Sequence, residues 1–492
     1  MRSGVRQGCP LSPLLYVLCI EPLLRWLASN PSIARVALPG IGSKPTLFAY
    51  ADDLTICTSD TKSVEEALDV MDVYMRASGG RLNKAKSSIV AINGAVGRTA
   101  VGDIPVVQST KVLGVHFARG GASGESWKEV GDTLQSLREE YKGVLVSFGE
   151  KRQFIVSHML SKIWYLGTCF PPSKKTAKVL TRIVMSFFWE GKCERVKRSV
   201  VQAPAVFGGF DIPDIGLKCD ALAMAQICRI LDDDDHIAKP LMLYCMGTGS
   251  RVFSGSLNHT VPMAETPTVF YSGIIRHASI VQQAVPSGSL AYMRTNDLFH
   301  ELYKRFGMND IRIAPLENRG LVVSNLLQGD RADIAWELSH NILPVNTRLF
   351  RFHFVSSMNC DVCGGIENHR HVFFECVLAE ALWRKAATVF RVPRIIYETV
   401  LYSDPLPVTT GRVPSFVLLM GEIKYEIWTS RKRRIYGGTS ESLRKSSFYI
   451  GLNIRKKLQA ELETLDELDF KRRWKKHRLL FSIAEKKVKV SF

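Results

Sequence analysis

Leu47–Thr58, LFAYADDLTICT, constrains the fold more than any other stretch of this chain. Two strand-like apolar runs, Leu47–Tyr50 and Leu54–Cys57, flank the pair Asp52–Asp53, the pattern of a tight hairpin. The apolar runs anchor the strands while both carboxylates sit at the tip. Oxygen ligands so placed suit Mg²⁺, a hard ion that completes its octahedron with phosphate and water. The plain alternative is turn chemistry, because short acids favour turns whether or not they bind anything.

The 492 residues, 46% of them hydrophobic, are enough for two to four domains with sizeable cores. A formal charge of +18 favours a polyanionic partner, nucleic acid first and an anionic membrane surface second. The 11 cysteines are odd in number and mostly scattered, which points to reduced thiols and not to a disulfide framework. That expectation places the protein in nucleus or cytoplasm and not among secreted chains. Arg2 and Arg6 before an apolar stretch mimic a signal peptide, but Pro10, Pro13, Glu21 and Arg25 interrupt it. No uninterrupted apolar run is long enough to predict a membrane span.

In chain order, Gly4–Pro13 reads as a loop and Leu14–Ala28 as an amphipathic helix. A second helix over Ser63–Ser78 has cap chemistry in Asp60, Thr61 and Ser63, and stops at Gly79-Gly80. Lys84 and Lys86 follow it. Ile89–Phe117 reads as short strands, and Arg119–Glu125 as a loop without the GK[ST] ending of a phosphate-cradling P-loop. Lys128–Glu190 is mostly helical. Within it Lys174, Lys175, Lys178 and Arg182 can share a helix face, suited to phosphate or simply solvated. Asp232–Asp235 followed by His236 reads as a solvated helix end, and Met246–Thr268 as a connector.

Asn359–Trp383 holds Cys360-x2-Cys363-x7-His371-x4-Cys376, a Cys₃His set of the kind that closes around a structural Zn²⁺. His369 competes with His371 by spacing alone, and three buried thiols beside a surface histidine is the alternative. Residues 411–492 carry 20 Lys and Arg against 9 Asp and Glu. Arg431–Arg434 (including Arg433) and Lys471–Arg478 (including Arg472) are candidate nucleic-acid contacts or nuclear localisation signals. Trp474 is either a base-stacking ring or the apolar anchor of its helix. Glu422-Ile423-Lys424 matches half of a restriction-type nuclease pattern but lacks an upstream acid, and predicts no nuclease.

Taken together these motifs resemble the reverse transcriptases of LINE-type, non-LTR retrotransposons. GVRQGCPLSP looks like the family's palm motif B, YADD like motif C, SG-x2-LN-x2-KS like motif D and the VLG stretch like motif E. AWELSHNILPVNTRLFR resembles the segment leading into the family's C-terminal knuckle, whose C-x2-C…H-x4-C form favours His371 as the fourth ligand. The resemblance implies a helix-rich α+β chain. Its expected parts are a partial palm over 1–118, a helical thumb-like region over 119–245, a connector over 246–330, the zinc knuckle over 331–390 and a basic helical region over 391–492. It further implies Mg²⁺ on Asp52 with Asp53 in support, and contacts to template and nucleotide from Arg6, Gln7, Gly8, Tyr50 and Lys86. The implied partners are RNA template, DNA primer or target and dNTPs, with structural Zn²⁺ and no membrane. The family's motif A, with a further essential Asp, has no match in these residues. The expectation is therefore a C-terminal fragment, inactive alone, or a catalytically dead nucleic-acid-binding derivative.

Overall fold

The computed structural model describes residues 8–36, 47–92, 97–122, 124–234, 236–254, 263–286, 290–307, 326–327, 329–403, 413–438, 442–474, 480–484 and 487–492. The first part carries α1 (Ser12–Ser29), β1 (Leu47–Tyr50), β2 (Asp53–Ile56), α2 (Thr61–Ser78), β3 (Ile89–Val90), β4 (Ala100–Val101), β5 (Ile104–Val107), β6 (Ser109–Val112), β7 (Val115–Ala118) and β8 (Gly121–Ala122). Helices then dominate: α3 (Glu125–Glu140), α4 (Phe148–Phe154), α5 (Ser161–Cys169), α6 (Lys174–Phe188), α7 (Arg198–Gln202), α8 (Ile215–Asp232), α9 (Lys239–Met246), α10 (Arg251–Ser254), α11 (Val269–Ala284) and α12 (Thr295–Leu302). The last part holds α13 (Asp330–Ser339), α14 (Asn346–Arg351), α15 (Val377–Phe390), α16 (Tyr397–Tyr402), α17 (Val413–Gly437), α18 (Leu443–Thr464), α19 (Glu467–Trp474), β9 (Phe481–Ala484) and β10 (Lys487–Val490). The chain is helix-rich α+β. Among the described residues, no helix is long and apolar enough to cross a membrane.

Two compact units result, and neither is continuous in sequence: 1–135 with 161–180 and 215–305, and 136–160 with 181–214 and 306–492. In the first, α2 starts where the Asp60 carboxylate accepts the Ser63 amide at 2.8 Å and stops at Gly79, whose φ of 72° favours glycine. Ala67, Val70 and Met71 of α2 bury against Leu23 and Leu27 of α1, and Tyr74 Oη donates to the Cys19 carbonyl. The short strands form a hairpin β1–β2, a sheet ordered β3-β5-β4 and a sheet ordered β6-β7-β8.

The same unit has a second core around α8. Ala223, Met224, Ile227 and Cys228 meet Ile274, Ala278 and Val281 of α11 and Leu298 and Leu302 of α12. This differs from the connector expected over 246–330. Only the start of that stretch is Gly- and Ser-rich; its second half keeps a helical period and buries apolar side chains on α8. α8 ends at Asp232, and Asp234 ion-pairs with Lys239.

In the second unit Phe148, Phe188, Trp189, Phe210 and Trp336 stack and cross one another, with Phe148–Phe188 centroids at 5.0 Å and Phe148–Trp336 at 5.3 Å. The Trp336 indole donates to the Gly208 carbonyl at 2.7 Å, so the wedge of rings holds α13 just before the cysteine-rich loop. Beyond it, one core runs from Ile334 to Val488 and joins Phe373, Trp383, Phe390, Phe416, Ile450 and Phe470. α17 is buried along most of its length, the mark of a central helix. No boundary at residue 390 divides that core.

Candidate active site and metal centre

The hairpin comes first. Antiparallel register pairs Leu47 with Ile56, Phe48 with Thr55, Ala49 with Leu54 and Tyr50 with Asp53. Alternation puts Leu47, Leu54 and Ile56 on the face that packs against α1 and α2, and leaves Phe48, Tyr50 and Asp53 on the open face. Ala51, at φ 51°, begins the two-residue turn, and Asp52 sits at its apex. Both carboxylates are exposed, and the Tyr50 side chain beside them is 70% exposed. Two tyrosines lie within electrostatic reach of the hairpin. Partial burial raises the Tyr16 hydroxyl's pKa, and the Asp52 charge raises it further. Tyr165, on α5, donates to the Leu113 carbonyl in the β6–β7 turn; burial raises its pKa first, with smaller contributions from Cys169 and Tyr50.

Exposed carboxylates in this placement fit a hard cation. Two bridged metals also need a ligand from a second strand. Among the described residues the β1–β2 sheet has only those two strands.

The second constellation is more nearly complete. Cys360, Cys363, His371 and Cys376 offer four ligand atoms that all lie within 4.8 Å of one another. Cys360 Sγ to Cys376 Sγ is 3.9 Å and Cys363 Sγ to His371 Nε2 is 3.2 Å. Zn–S bonds near 2.3 Å in a tetrahedron set S···S at about 3.8 Å, so the donor set fits Zn²⁺. Local structure explains the convergence. Gly364, at φ 74°, turns the loop so that Gly364 N reaches the Cys360 carbonyl at 2.9 Å and Cys360 N the Gly365 carbonyl at 2.7 Å. A single wide turn over His371–Glu375 then swings Cys376 to the N-cap of α15, a position that favours a thiolate. Burial, then the neighbouring Cys360 and Cys363, push the Cys376 thiol up, and a dication among the three sulfurs offsets that cost. His369 points elsewhere: its Nε2 lies 3.0 Å from the Leu343 carbonyl, and burial lowers its pKa.

Comparison with known proteins finds matches over the stretches that contain both constellations. Residues 1–117 match the family described as reverse transcriptase (RNA-dependent DNA polymerase), and residues 331–383 match the one described as zinc-binding in reverse transcriptase. These two stretches are reverse-transcriptase sequence of the LINE-like, non-LTR class. Its relatives include the transposon TX1 uncharacterized 149 kDa protein of Xenopus laevis, 29% identical over 47% of this chain and 18% of the relative. The Pol polyprotein of the type-2 retrotransposable element R2DM of Drosophila melanogaster is 25% identical over 46% of this chain and 22% of the relative. A Pol polyprotein of the type-1 element R2 of Popillia japonica is 25% identical over 34% and 28%. The chain thus spans about a fifth of the length of the first two relatives.

The other expected contact residues fall in four places. Arg6 and Gln7 lie outside the described residues, while Gly8 is exposed at φ 81°. Lys86 is exposed at the end of a short helical turn capped by Asn83. Lys174, Lys175 and Lys178 are exposed on the first turns of α6, where the helix dipole adds to their positive potential. Arg472 is exposed and pairs with Asp469 at 3.2 Å, and Lys471 is exposed beside it.

Two expectations are corrected. Trp474 is 1% exposed, and its indole donates to Glu461 at 2.8 Å, so its face is unavailable to a base. Arg431 is buried on α17 against Glu367 at 2.6 Å and takes no part in a basic surface. Arg433 is partly withdrawn too, paired with Glu426 at 2.6 Å and lying over Tyr449. Glu422 and Lys424 are both buried on α17, where Glu422 pairs with Arg331 and Lys424 donates to Ser403, which accounts for that short nuclease-like match structurally. Sequence reading missed Glu367 altogether, because a single acid after a cysteine loop has no distinguishing neighbour.

Proposed function

We propose that this chain supplies the carboxylate hairpin, helical nucleic-acid grip and zinc knuckle of an RNA-directed DNA polymerase of a non-LTR retrotransposon. In that reaction a primer 3′-oxygen attacks the α-phosphate of a dNTP, the new P–O bond forms and pyrophosphate leaves. Mg²⁺, when bound, activates the attacking hydroxyl and neutralises the leaving group. Asp52 would hold it from the apex of the turn, with Asp53 supporting from the open face. Gly8 permits close backbone approach of a ligand, and Arg6, Gln7, Tyr50 and Lys86 would contact template and incoming nucleotide. Lys174, Lys175 and Lys178 would meet phosphate. Zn²⁺ would be structural, since four protein ligands leave no open position. The observation that carries this reading is the hairpin itself, which buries one face and leaves both carboxylates exposed beside Tyr50.

A second reading has its own support. With a two-stranded β1–β2 sheet among the described residues, the metal site lacks a ligand from a neighbouring strand. The chain by itself would then bind RNA and DNA without polymerising.

Both readings require phosphate-dominated binding. Binding of an RNA–DNA template–primer should weaken steeply with salt. Replacing Lys174, Lys175 and Lys178 together by Ala should lower the log–log salt slope by about 2 to 3. Salt-insensitive binding, or an unchanged slope, would refute the phosphate role of this helix.

A further inference from the structure

A distinct surface rides on the zinc-binding loop. Between Glu337 and Asp361 the chain carries no Asp or Glu. α14 ends at Arg351, and the chain closes back on it: His353 N donates to the Phe350 carbonyl at 3.0 Å and Phe354 N to the Leu349 carbonyl at 2.9 Å. The turn leaves Phe350, Phe352 and Phe354 exposed by 41%, 57% and 75%. Scattered exposed apolar residues are ordinary, but three phenylalanines in five residues with an arginine and a histidine between them are not. The Arg348 guanidinium lies 6.0 Å from the centre of the Phe352 ring, and Arg351 and His353 are exposed between the rings.

The surface is held, not loose. Asn346 N donates to Glu367 Oε1 at 2.9 Å, Thr347 N to the Glu367 carbonyl at 3.1 Å, and Asn346 Nδ2 to the Asn359 carbonyl at 2.8 Å. These bonds tie α14 to the loop that carries Cys360 and Cys363.

Open aromatic faces want flat apolar partners, and the exposed Arg351 between them wants an anion, with Arg348, whose Nη1 donates to the Asn341 carbonyl at 3.2 Å, adding positive potential beside the Phe352 ring. Single-stranded nucleic acid offers both in alternation, as unstacked bases and phosphates. A duplex hides its base faces in its own stack. A second copy of this chain, joined through the same patch, would bring arginines against their own counterparts. We propose that Phe352 and Phe354, with Arg348 and Arg351, form a stacking platform for single-stranded RNA or DNA beside the zinc centre. The proposal rests on the nucleic-acid reading above and adds the strand form and the residues that recognise it.

The test is fluorescence anisotropy of the full chain with a labelled oligouridylate, and with its duplex with oligoadenylate, across a range of KCl. Replacing Phe352 and Phe354 by Leu keeps apolar bulk and removes the rings. It should weaken single-strand binding about tenfold or more, with duplex affinity, salt slope and zinc content unchanged. Phe354→Trp should bind at least as well as the native chain, and Arg351→Ala should lower the single-strand salt slope by about one. Equal single-strand binding by native chain and double Leu variant, both binding duplex normally, overturns the platform alone. So does an equal loss for both strand forms. A change in sedimentation from oligomer to monomer with RNA binding intact overturns it in favour of self-contact. Failure of the native chain to bind either form overturns the nucleic-acid reading as well.

Discussion

Arg431→Met should be among the most damaging single changes in the second unit. Glu367 is 0% exposed, and its Oε1 accepts from Asn346 N at 2.9 Å and from Arg431 Nε and Nη2 at 3.0 and 2.6 Å. Arg431 also donates to Asn346 Oδ1 at 3.0 Å, and its guanidinium lies over the Trp428 ring. Methionine fills similar volume but leaves the buried carboxylate with one backbone donor. Removing one partner of such a pair costs about 3–5 kcal/mol, since the remaining charge stays desolvated and uncompensated. At roughly 2–4 °C per kcal/mol for a unit of this size, the melting point should fall by about 6–20 °C. Glu367 lies two residues after Gly365 and four before His371, so the ligand loop loosens with it and a chromogenic chelator should strip zinc faster. Arg431→Met combined with Glu367→Met removes both charges and should recover most of the loss. Calorimetry with a zinc-release assay decides it. Unchanged melting and zinc release in Arg431→Met, or additive losses in the double variant, would refute the reasoning.

Cys363→Ser removes the exposed zinc ligand and should abolish stoichiometric zinc binding and lower the melting point of the second unit by at least 10 °C, given about 10–16 kcal/mol of binding energy in small zinc modules; metal analysis and calorimetry check it. Asp333 supplies a pH dependence: burial, aided by Glu337 and Asp330 and opposed by the Phe148 amide and Lys151, raises its carboxyl to about 7. The folded chain therefore holds a proton that the unfolded chain releases near pH 4, and stability falls as pH rises from about 4 to about 7, by on the order of 4 kcal/mol. Asp333→Asn keeps an acceptor for the Phe148 amide and should flatten that fall in denaturant melts taken across this range. Trp474→Ala should cost about 3–5 kcal/mol and leave the salt slope of nucleic-acid binding unchanged; a lower slope with unchanged melting would restore the surface role that its burial denies.

The parts most legible in the sequence were those whose chemistry is local. Asp60 and Gly79 bound α2 because a cap and a left-handed stop act within one turn. Cysteine spacing located the Cys₃His cluster for the same reason. The charge clusters were least legible, because charge in sequence says nothing about which face of a helix meets the core. The apolar run from Phe416 to Met420 is the one signal that α17 is a central helix and that Arg431 falls inside it. Trp474 finds Glu461 across two helices, a pairing with no local trace. The helices after residue 262 were hidden by their Gly- and Ser-rich entrance, although Ile274, Ala278 and Val281 keep helical spacing.

RNA-templated primer extension with Mg²⁺ tests the central claim most directly, comparing the native chain with Asp52→Ala and Asp53→Ala. The account predicts that the chain binds template–primer in a salt-dependent way but adds no nucleotides above the Asp52→Ala background, because among the described residues no third strand brings the hairpin a further ligand. Extension that Asp52→Ala abolishes would contradict that incompleteness and show a working metal site built on this hairpin. Extension that survives Asp52→Ala and Asp53→Ala would contradict the assignment of the hairpin itself.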